Sequence, residues 1–242
     1  GLAIGSGLEA SIKLGLSLAI AICFHDIPEG ISMAVPMKNG GMNSIKVVFY
    51  VVLSGVTTGI GAFFGALVGV AIPAVFSAIL IFGVSKNSQK LVTEIHRQFK
   101  EIKGVKEGNV PPEYEKCINL ATIGAIKELI PAGLIAIIAT LVVGFIGGVQ
   151  AIGGFLAGNI LSGLLLAMLM SNSGGLWDNA KKYIEAGNFG GKGSEAHKAA
   201  VIGDTIGDPF KDTAGPSINT QITVVSLVSS LAATLFIMYS LF

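Results

Sequence analysis

Two short stretches near the end of the chain hold side chains suited to phosphate chemistry. In Trp177-Asp178-Asn179-Ala180-Lys181-Lys182, Asp178, Lys181 and Lys182 stand at i, i+3 and i+4, one face of a helix. In Gly203-Asp204-Thr205-Ile206-Gly207-Asp208-Pro209-Phe210-Lys211-Asp212-Thr213, Asp204, Asp208 and Asp212 stand at i, i+4 and i+8. On an α-helix they form a stripe about 80° wide, with Lys211 beside Asp204. Three like charges on one face repel, so a counter-charge is expected. Mg²⁺ supplies it, because it takes carboxylate and phosphate oxygens and needs neither His nor Cys. Lysines add point charges for phosphate. Carboxylates and metal together can orient and deprotonate a water for in-line attack on phosphorus.

Asp178, Asp204, Asp208 and Asp212 are therefore the expected Mg²⁺ ligands, and Lys181, Lys182 and Lys211 the expected substrate-binding groups. Asp204, Asp208 and Asp212 are the expected catalytic carboxylates. A solvated acidic face with salt-bridged lysines would have the same spacing. Against that reading, the stripe lies in a Gly- and Pro-interrupted segment just before an apolar run. Ionisable groups at membrane depth are costly and usually functional. The face bearing Asp178, Lys181 and Lys182 is expected to meet the aspartate stripe and enclose a pocket.

A second candidate lies near the other end. In Phe24-His25-Asp26-Ile27-Pro28-Glu29-Gly30, His25 and Glu29 are at i and i+4, and Pro28 can free a backbone carbonyl there. Imidazole plus carboxylate suits Zn²⁺ or a similar ion, although two ligands make only a partial site. A hydrogen-bonded His–Glu pair in a bundle core is the other reading.

The elements that position these groups are membrane helices. Hydrophobic residues make up 52% of the 242 and charged residues 13%, against roughly 25% charged in soluble domains. The apolar residues run continuously over Leu14–Pro36, Val47–Phe82, Ile123–Ile146, Ile152–Met170 and Ile222–Phe242. Each run reaches or approaches the roughly 20 residues needed to cross a bilayer, and the 33 glycines suit close helix approach. The fold class is an all-α integral membrane bundle of about six transmembrane helices, some extended into the cytoplasm. Val47–Phe82 is too long for one crossing, and Gly69 with Pro73 marks the expected break into two.

Lysines and Arg97 cluster in 86–116 and again in 181–211, which the positive-inside rule places in the cytoplasm. Gly147–Gln150 is then an outer hairpin turn, and both termini face outside. Asn87–Ile102 carries Leu91, Ile95, Phe99 and Ile102 at helical spacing, so it reads as a cytoplasmic continuation of the third span. Gly187–Gly193 is a glycine loop, and Ser194 with His197 opens the last long helix. Cys23 and Cys117 read as free thiols. The net charge of +1, without a basic arm interleaved with aromatics, gives no reason to expect nucleic acid.

These same residues carry a family resemblance. Gly174 to Glu185 resembles the penultimate-helix motif of membrane-bound, ion-pumping inorganic pyrophosphatases, and Gly191 to Ala200 with Gly203 to Pro216 resembles their last-helix motif. The likeness extends back through Arg97-Gln98-Phe99 and Lys127-Glu128 to about Pro73. It implies that Asp178, Lys181, Lys182, Asp204, Asp208, Lys211 and Asp212 line a cytosolic hydrolytic centre holding Mg²⁺ and pyrophosphate. Hydrolysis would drive H⁺ or Na⁺ across a prokaryotic cell membrane, in a homodimer within the lipid bilayer, with K⁺ activation left open. The family's earlier acidic motifs are absent, and Thr223 stands where many members carry Lys.

Residues 1–69 instead resemble part of a ZIP-family metal transporter, with His25-Asp26-Ile27-Pro28-Glu29-Gly30 similar to that family's second metal-binding helix. The implied organisation is a transporter fragment over 1–69, with Zn²⁺ at His25 and Glu29, joined to the last four pump helices over 70–242. A divalent-metal transporter and a non-functional fusion product are the alternatives to a pyrophosphate-driven pump.

Overall fold

The structure, a computed structural model, describes residues 30–241, which are helical or in short connections and contain no strand. His25 and Glu29 lie outside the described residues. The chain divides into two compact units, Gly1–Ile60 and Gly61–Phe242. In the first, residues 30–39 are helical and turn at Gly41, whose φ of +85° suits glycine. The Asn43 Oδ1 accepts from the Ile45 N–H at 3.0 Å and so supports the start of the next helix, α1 (Ser44–Glu101).

α1 continues into the second unit, followed by α2 (Tyr114–Glu185), α3 (Glu195–Asp208), a π-helical turn (Pro209–Ala214) and α4 (Gly215–Tyr239). α2 breaks at Gly148, where φ 68° and ψ −165° interrupt the helix. Its first arm, 114–147, runs antiparallel to α1: Gly83 packs on Glu128 and the Asn87 amide donates to the Ala121 carbonyl at 3.1 Å. Its second arm, 149–185, runs parallel to α1, since Gly65 meets Ala151 and Gly69 meets Phe155. The hairpin expected at Gly147–Gln150 is therefore present. α4 returns antiparallel to the second arm, with Gly215 on Ser171 and Gln221 on Asn159.

The break expected at Gly69 and Pro73 is not present. The stretch 61–101 is helical throughout, and both residues serve contact instead. A Cβ at Gly65 or Gly69 would overlap the carbonyls of Ala151 and Phe155, and one at Gly154 or Gly158 would overlap those of Ala62 and Ala66. The two backbones touch along a small-residue seam of the kind membrane helices use. Pro73 is fully buried, and the Ser77 hydroxyl donates to its carbonyl at 2.7 Å. In place of the expected break into two crossings, Val47–Phe82 lies within the single helix Ser44–Glu101.

Among the described residues, three helices, Ser44–Glu101, Tyr114–Glu185 and Glu195–Tyr239, are long and apolar enough to cross a membrane. Most large apolar side chains point outward, Phe63, Leu165 and Leu231 among them. The inner contacts gather Ile72, Ala136, Ile152, Phe155, Val225 and Phe236. Phe236 fills the space over Gly144 and meets Phe145 edge-on with 5.2 Å between ring centres.

The polar continuation of α1 packs by a polar face and not by its apolar residues. Glu94 and Gln98 are its buried residues, whereas Phe99 is exposed. Arg97 grips Glu94 through two nitrogens (3.0 and 2.7 Å) and reaches Glu101 and Glu113 at 2.7 Å each. Gln98 exchanges bonds with the Glu113 backbone across the 102–113 connection. Charge pairing between the end of α1 and the start of α2 sets the rotation here.

Candidate active site

The site is built where the polar end of α2 meets α3 and the π-turn, beyond the apolar runs. Glycine makes the approach possible. A Cβ at Gly207 would stand 2.8 Å from the Trp177 ring and 3.0 Å from the Gly174 Cα, below ordinary carbon contact at about 3.5–4.0 Å. The Trp177 ring lies over this crossing and faces Phe210 at 6.1 Å. α3 is started by Ser194, whose hydroxyl accepts from the His197 N–H at 3.1 Å, an N-cap. The π-turn closes with the Gly215 N–H on the Phe210 carbonyl, an i→i+5 bond of a kind frequent at functional sites.

The two predicted clusters come together. Lys181 Nζ bonds the Asp204 carboxylate across the helix pair. Lys211 Nζ crosses the other way to Asp178 Oδ2 at 2.8 Å, and Lys182 Nζ donates to the same oxygen at 2.9 Å. Lys211 also lies 3.3 Å from Asp208 and 3.7 Å from Asp212. It does not sit beside Asp204, as an unbroken α-helical stripe would require. Asp204 is buried, whereas the Asp208 and Asp212 side chains are 51% and 63% exposed.

Lysine bonding holds the Asp178 carboxyl down at about 2, through Lys211 first and Lys182 second. The same Asp178 contact raises Lys211, and Asp204 raises Lys181. Asp178, Lys181 and Lys211 are therefore ionised at neutral pH. One atom is left over: Asp204 Oδ1 is buried with no hydrogen-bond partner. An orphaned carboxylate oxygen is a costly arrangement that a cation would relieve. Hard oxygen donors suit Mg²⁺, so the residues fit that ion chemically. Among the described residues, however, no three carboxylate, imidazole or thiolate groups converge on a metal position. The aspartates are drawn to lysines, and a cation here would need oxygens from phosphate, water or other parts of the protein.

The sequence reading missed the pair behind this cluster. His197 Nε2 lies 3.1 Å from Glu185 Oε1, and its Nδ1 accepts from the Gly193 N–H at 3.2 Å. The acceptor role of Nδ1 puts the proton on Nε2, which then donates to Glu185 and lowers that carboxyl. The pair ties the end of α2 to the start of α3 around the glycine loop. Glu185 follows Lys181 by four residues, a helical-neighbour signal that could have pointed to it.

Comparison with known proteins gives a consistent family. The family described as inorganic H+ pyrophosphatase matches residues 3–232. A "K(+)-insensitive pyrophosphate-energized proton pump" of Chloroflexus aurantiacus is 46% identical over 237 residues, covering 98% of this chain and 29% of the relative. A "K(+)-stimulated pyrophosphate-energized sodium pump" of Thermotoga maritima is 52% identical over 174 residues, 71% of this chain and 24% of the relative. A proton pump of Methanosarcina mazei is 49% identical over 173 residues, 72% and 26%. The chain thus spans between a quarter and a third of the length of the first of these relatives. The family match begins at residue 3 and passes through Gly69–Pro73. The expected ZIP-transporter fragment and its Zn²⁺ therefore receive no support from the comparisons.

Proposed function

We infer the role of this chain from its family: it belongs to the inorganic H+ pyrophosphatases, and it supplies part of the hydrolytic centre of a pyrophosphate-energised ion pump. The observation that carries this reading is the reciprocal bridge between α2 and the α3 to π-turn segment. Lys181 reaches Asp204, Lys211 reaches Asp178, and Asp204 Oδ1 is left without a partner. A pyrophosphate anion entering here can draw Lys181, Lys182 and Lys211 away from the aspartates, exchanging one set of ion pairs for another.

The freed carboxylates of Asp178, Asp204, Asp208 and Asp212 would then hold Mg²⁺. When bound, that ion neutralises phosphate oxygens and eases charge onto the departing phosphate. The lysines hold and orient the substrate as point charges. An aspartate of the Asp204, Asp208 and Asp212 set takes a proton from water as its oxygen attacks phosphorus. The bridging P–O bond breaks, and two phosphates leave. The lysines of 86–116 and 181–211 support a hydrolytic face on the cytoplasmic side. The transported ion is H⁺ or Na⁺, the two carried by the named relatives. K⁺ is a candidate activator because one relative is described as stimulated by it. A homodimer within the bilayer is the assembly that the family resemblance suggests.

The test is Asp204→Asn in a complete pump carrying this segment, with magnesium-dependent phosphate release as the readout. The variant keeps the shape but loses the charge facing Lys181, and activity should fall at least about 100-fold, as when one electrostatic contact to the reacting group is removed. Activity within twofold of the parent would refute the assignment.

A further inference from the structure

Far from the charged cluster, a second polar feature lies inside the helix bundle. Asn159 on the second arm of α2 is fully buried, and Gln221 on α4 nearly so. They make one hydrogen bond, Gln221 Nε2 to Asn159 Oδ1 at 2.9 Å. Asn159 Nδ2 and Gln221 Oε1 are buried with no partner, and so is the Ser162 hydroxyl, one helical turn along the same face. Exchanging the amide N and O positions changes nothing in the count. Either way one amide donor group and one amide acceptor are left over.

The surroundings offer no other relief. Phe155, Ile218 and Val225 are fully buried nearby on the same two helices. Gly69 of α1 packs against Phe155 and Asn159, and Pro73 has no N–H to give the Gly69 carbonyl. Asn159 also lies near the middle of the apolar run Ile152–Met170. Nineteen residues separate it from Asp178, about 28 Å of helix, so bulk water at the hydrolytic face is far away.

We propose that Asn159, Ser162 and Gln221 form a hydration niche that holds an internal water molecule at mid-membrane depth. Water fits the donor and acceptor set: it accepts from the Asn159 amide and donates to the Gln221 oxygen, while the Ser162 hydroxyl can do either. Buried waters typically make two to four such bonds. A bare monovalent cation fits less well, because an amide N–H faces the niche and no carboxylate adjoins it. Such a water bridges the second arm of α2 to α4, whereas the Lys181–Asp204 contact joins α2 to α3. The niche does not depend on what the charged cluster binds.

The test uses the 242-residue chain in lipid nanodiscs with ¹⁵N-labelled Asn and Gln. Magnetisation exchange between water and the Asn159 and Gln221 side-chain amides is expected, and its absence would overturn the proposal. Ser162→Ala gives an independent reading. If the hydroxyl serves a bound water, its loss lowers the unfolding midpoint by about 2–4 °C, the shift that one lost hydrogen bond gives in a chain of this size. If the niche is dry, the same substitution removes an unsatisfied group and raises the midpoint, which refutes it. A midpoint that rises when Na⁺ replaces choline, and no longer does so in Ser162→Ala, would assign the niche to an ion and also overturn the water.

Discussion

Gly207→Ala isolates the geometry of the charged site from its chemistry. A Cβ at this position would stand 3.0 Å from the Gly174 Cα, 3.2 Å from the Gly174 carbonyl oxygen and 2.8 Å from the edge of the Trp177 ring. The ring can turn away, but the Gly174 backbone cannot. Ordinary carbon contact needs about 3.5–4.0 Å, so the two helices must part by roughly 0.5–1 Å. Lys181–Asp204 and Lys211–Asp178 span the same crossing, and they lengthen with it. A misplacement of about 1 Å can cost on the order of 100-fold in rate, so kcat/KM for pyrophosphate in a complete pump carrying this segment should fall by roughly 10- to 100-fold. Membrane insertion should be unaffected. Gly203→Ala is the control, because its Cβ would meet the Trp177 side chain at an ordinary 3.6 Å; the exchange also favours helix by about 1 kcal/mol, and activity should stay within twofold. The measurement is phosphate release from reconstituted vesicles at varied substrate. Equal activity of the two alanine variants would show that this close approach does not set the site, and the reasoning would fail.

Acidification should open the α2 to π-turn bridge only at low pH. The folded Asp178 carboxyl sits near 2, below its ordinary 3.8, so its stabilising contribution is complete above about pH 4 and is lost as pH falls toward 2. Trp177, the single tryptophan, reports this by fluorescence, and a transition centred near pH 6 would contradict the assignment. The chain alone should release phosphate from magnesium pyrophosphate no faster than buffer, since it spans 29% of the length of the pump it resembles; steady turnover by purified chain would sink that expectation. Because α1 and the second arm of α2 run parallel, cysteines placed at Asn109 and Lys182 should label from one side of the membrane and a cysteine at Gln150 from the other.

Composition made the helical membrane class legible, and charge type picked out two clusters that the fold brings together. Gly147-Gly148 reads as a turn in the sequence and is one, because Gly148 adopts a φ that other residues resist. Gly69 and Pro73 carry the same sequence signal and do not turn. Nothing local distinguishes the cases: Gly69 is used for its missing side chain against Phe155, a fact held by a partner more than 80 residues away. The Glu94, Arg97 and Gln98 group was hidden for a related reason. Apolar spacing marks Leu91, Ile95 and Phe99, but the helix lies beyond the apolar runs, where Glu94 and Gln98 turn inward while Arg97 and Gln98 bond Glu113 at a partly exposed edge.

The aspartate stripe shows the limit of periodicity most directly. A step of 100° per residue stacks Asp204, Asp208 and Asp212, and that assumes an unbroken α-helix. Pro209 and Pro216 bracket a segment in which two backbone donors are missing, and the chain there closes i→i+5. Each residue of a π-turn advances less about the axis, so Asp212 leaves the stripe and Lys211 swings toward Asp178. The consequence is chemical. With a regular helix, three carboxylates would face one lysine pair and repel one another. With the π-turn, Asp204 alone is buried against Lys181, while Asp208 and Asp212 stay exposed on either side of Lys211. The resting site is therefore nearly neutralised by its own lysines, and an incoming anion must displace carboxylates from them. On the function proposed above, carboxylates displaced in this way would add to the free Asp204 Oδ1 as cation ligands, so phosphate arriving would strengthen metal binding at this end of the bundle.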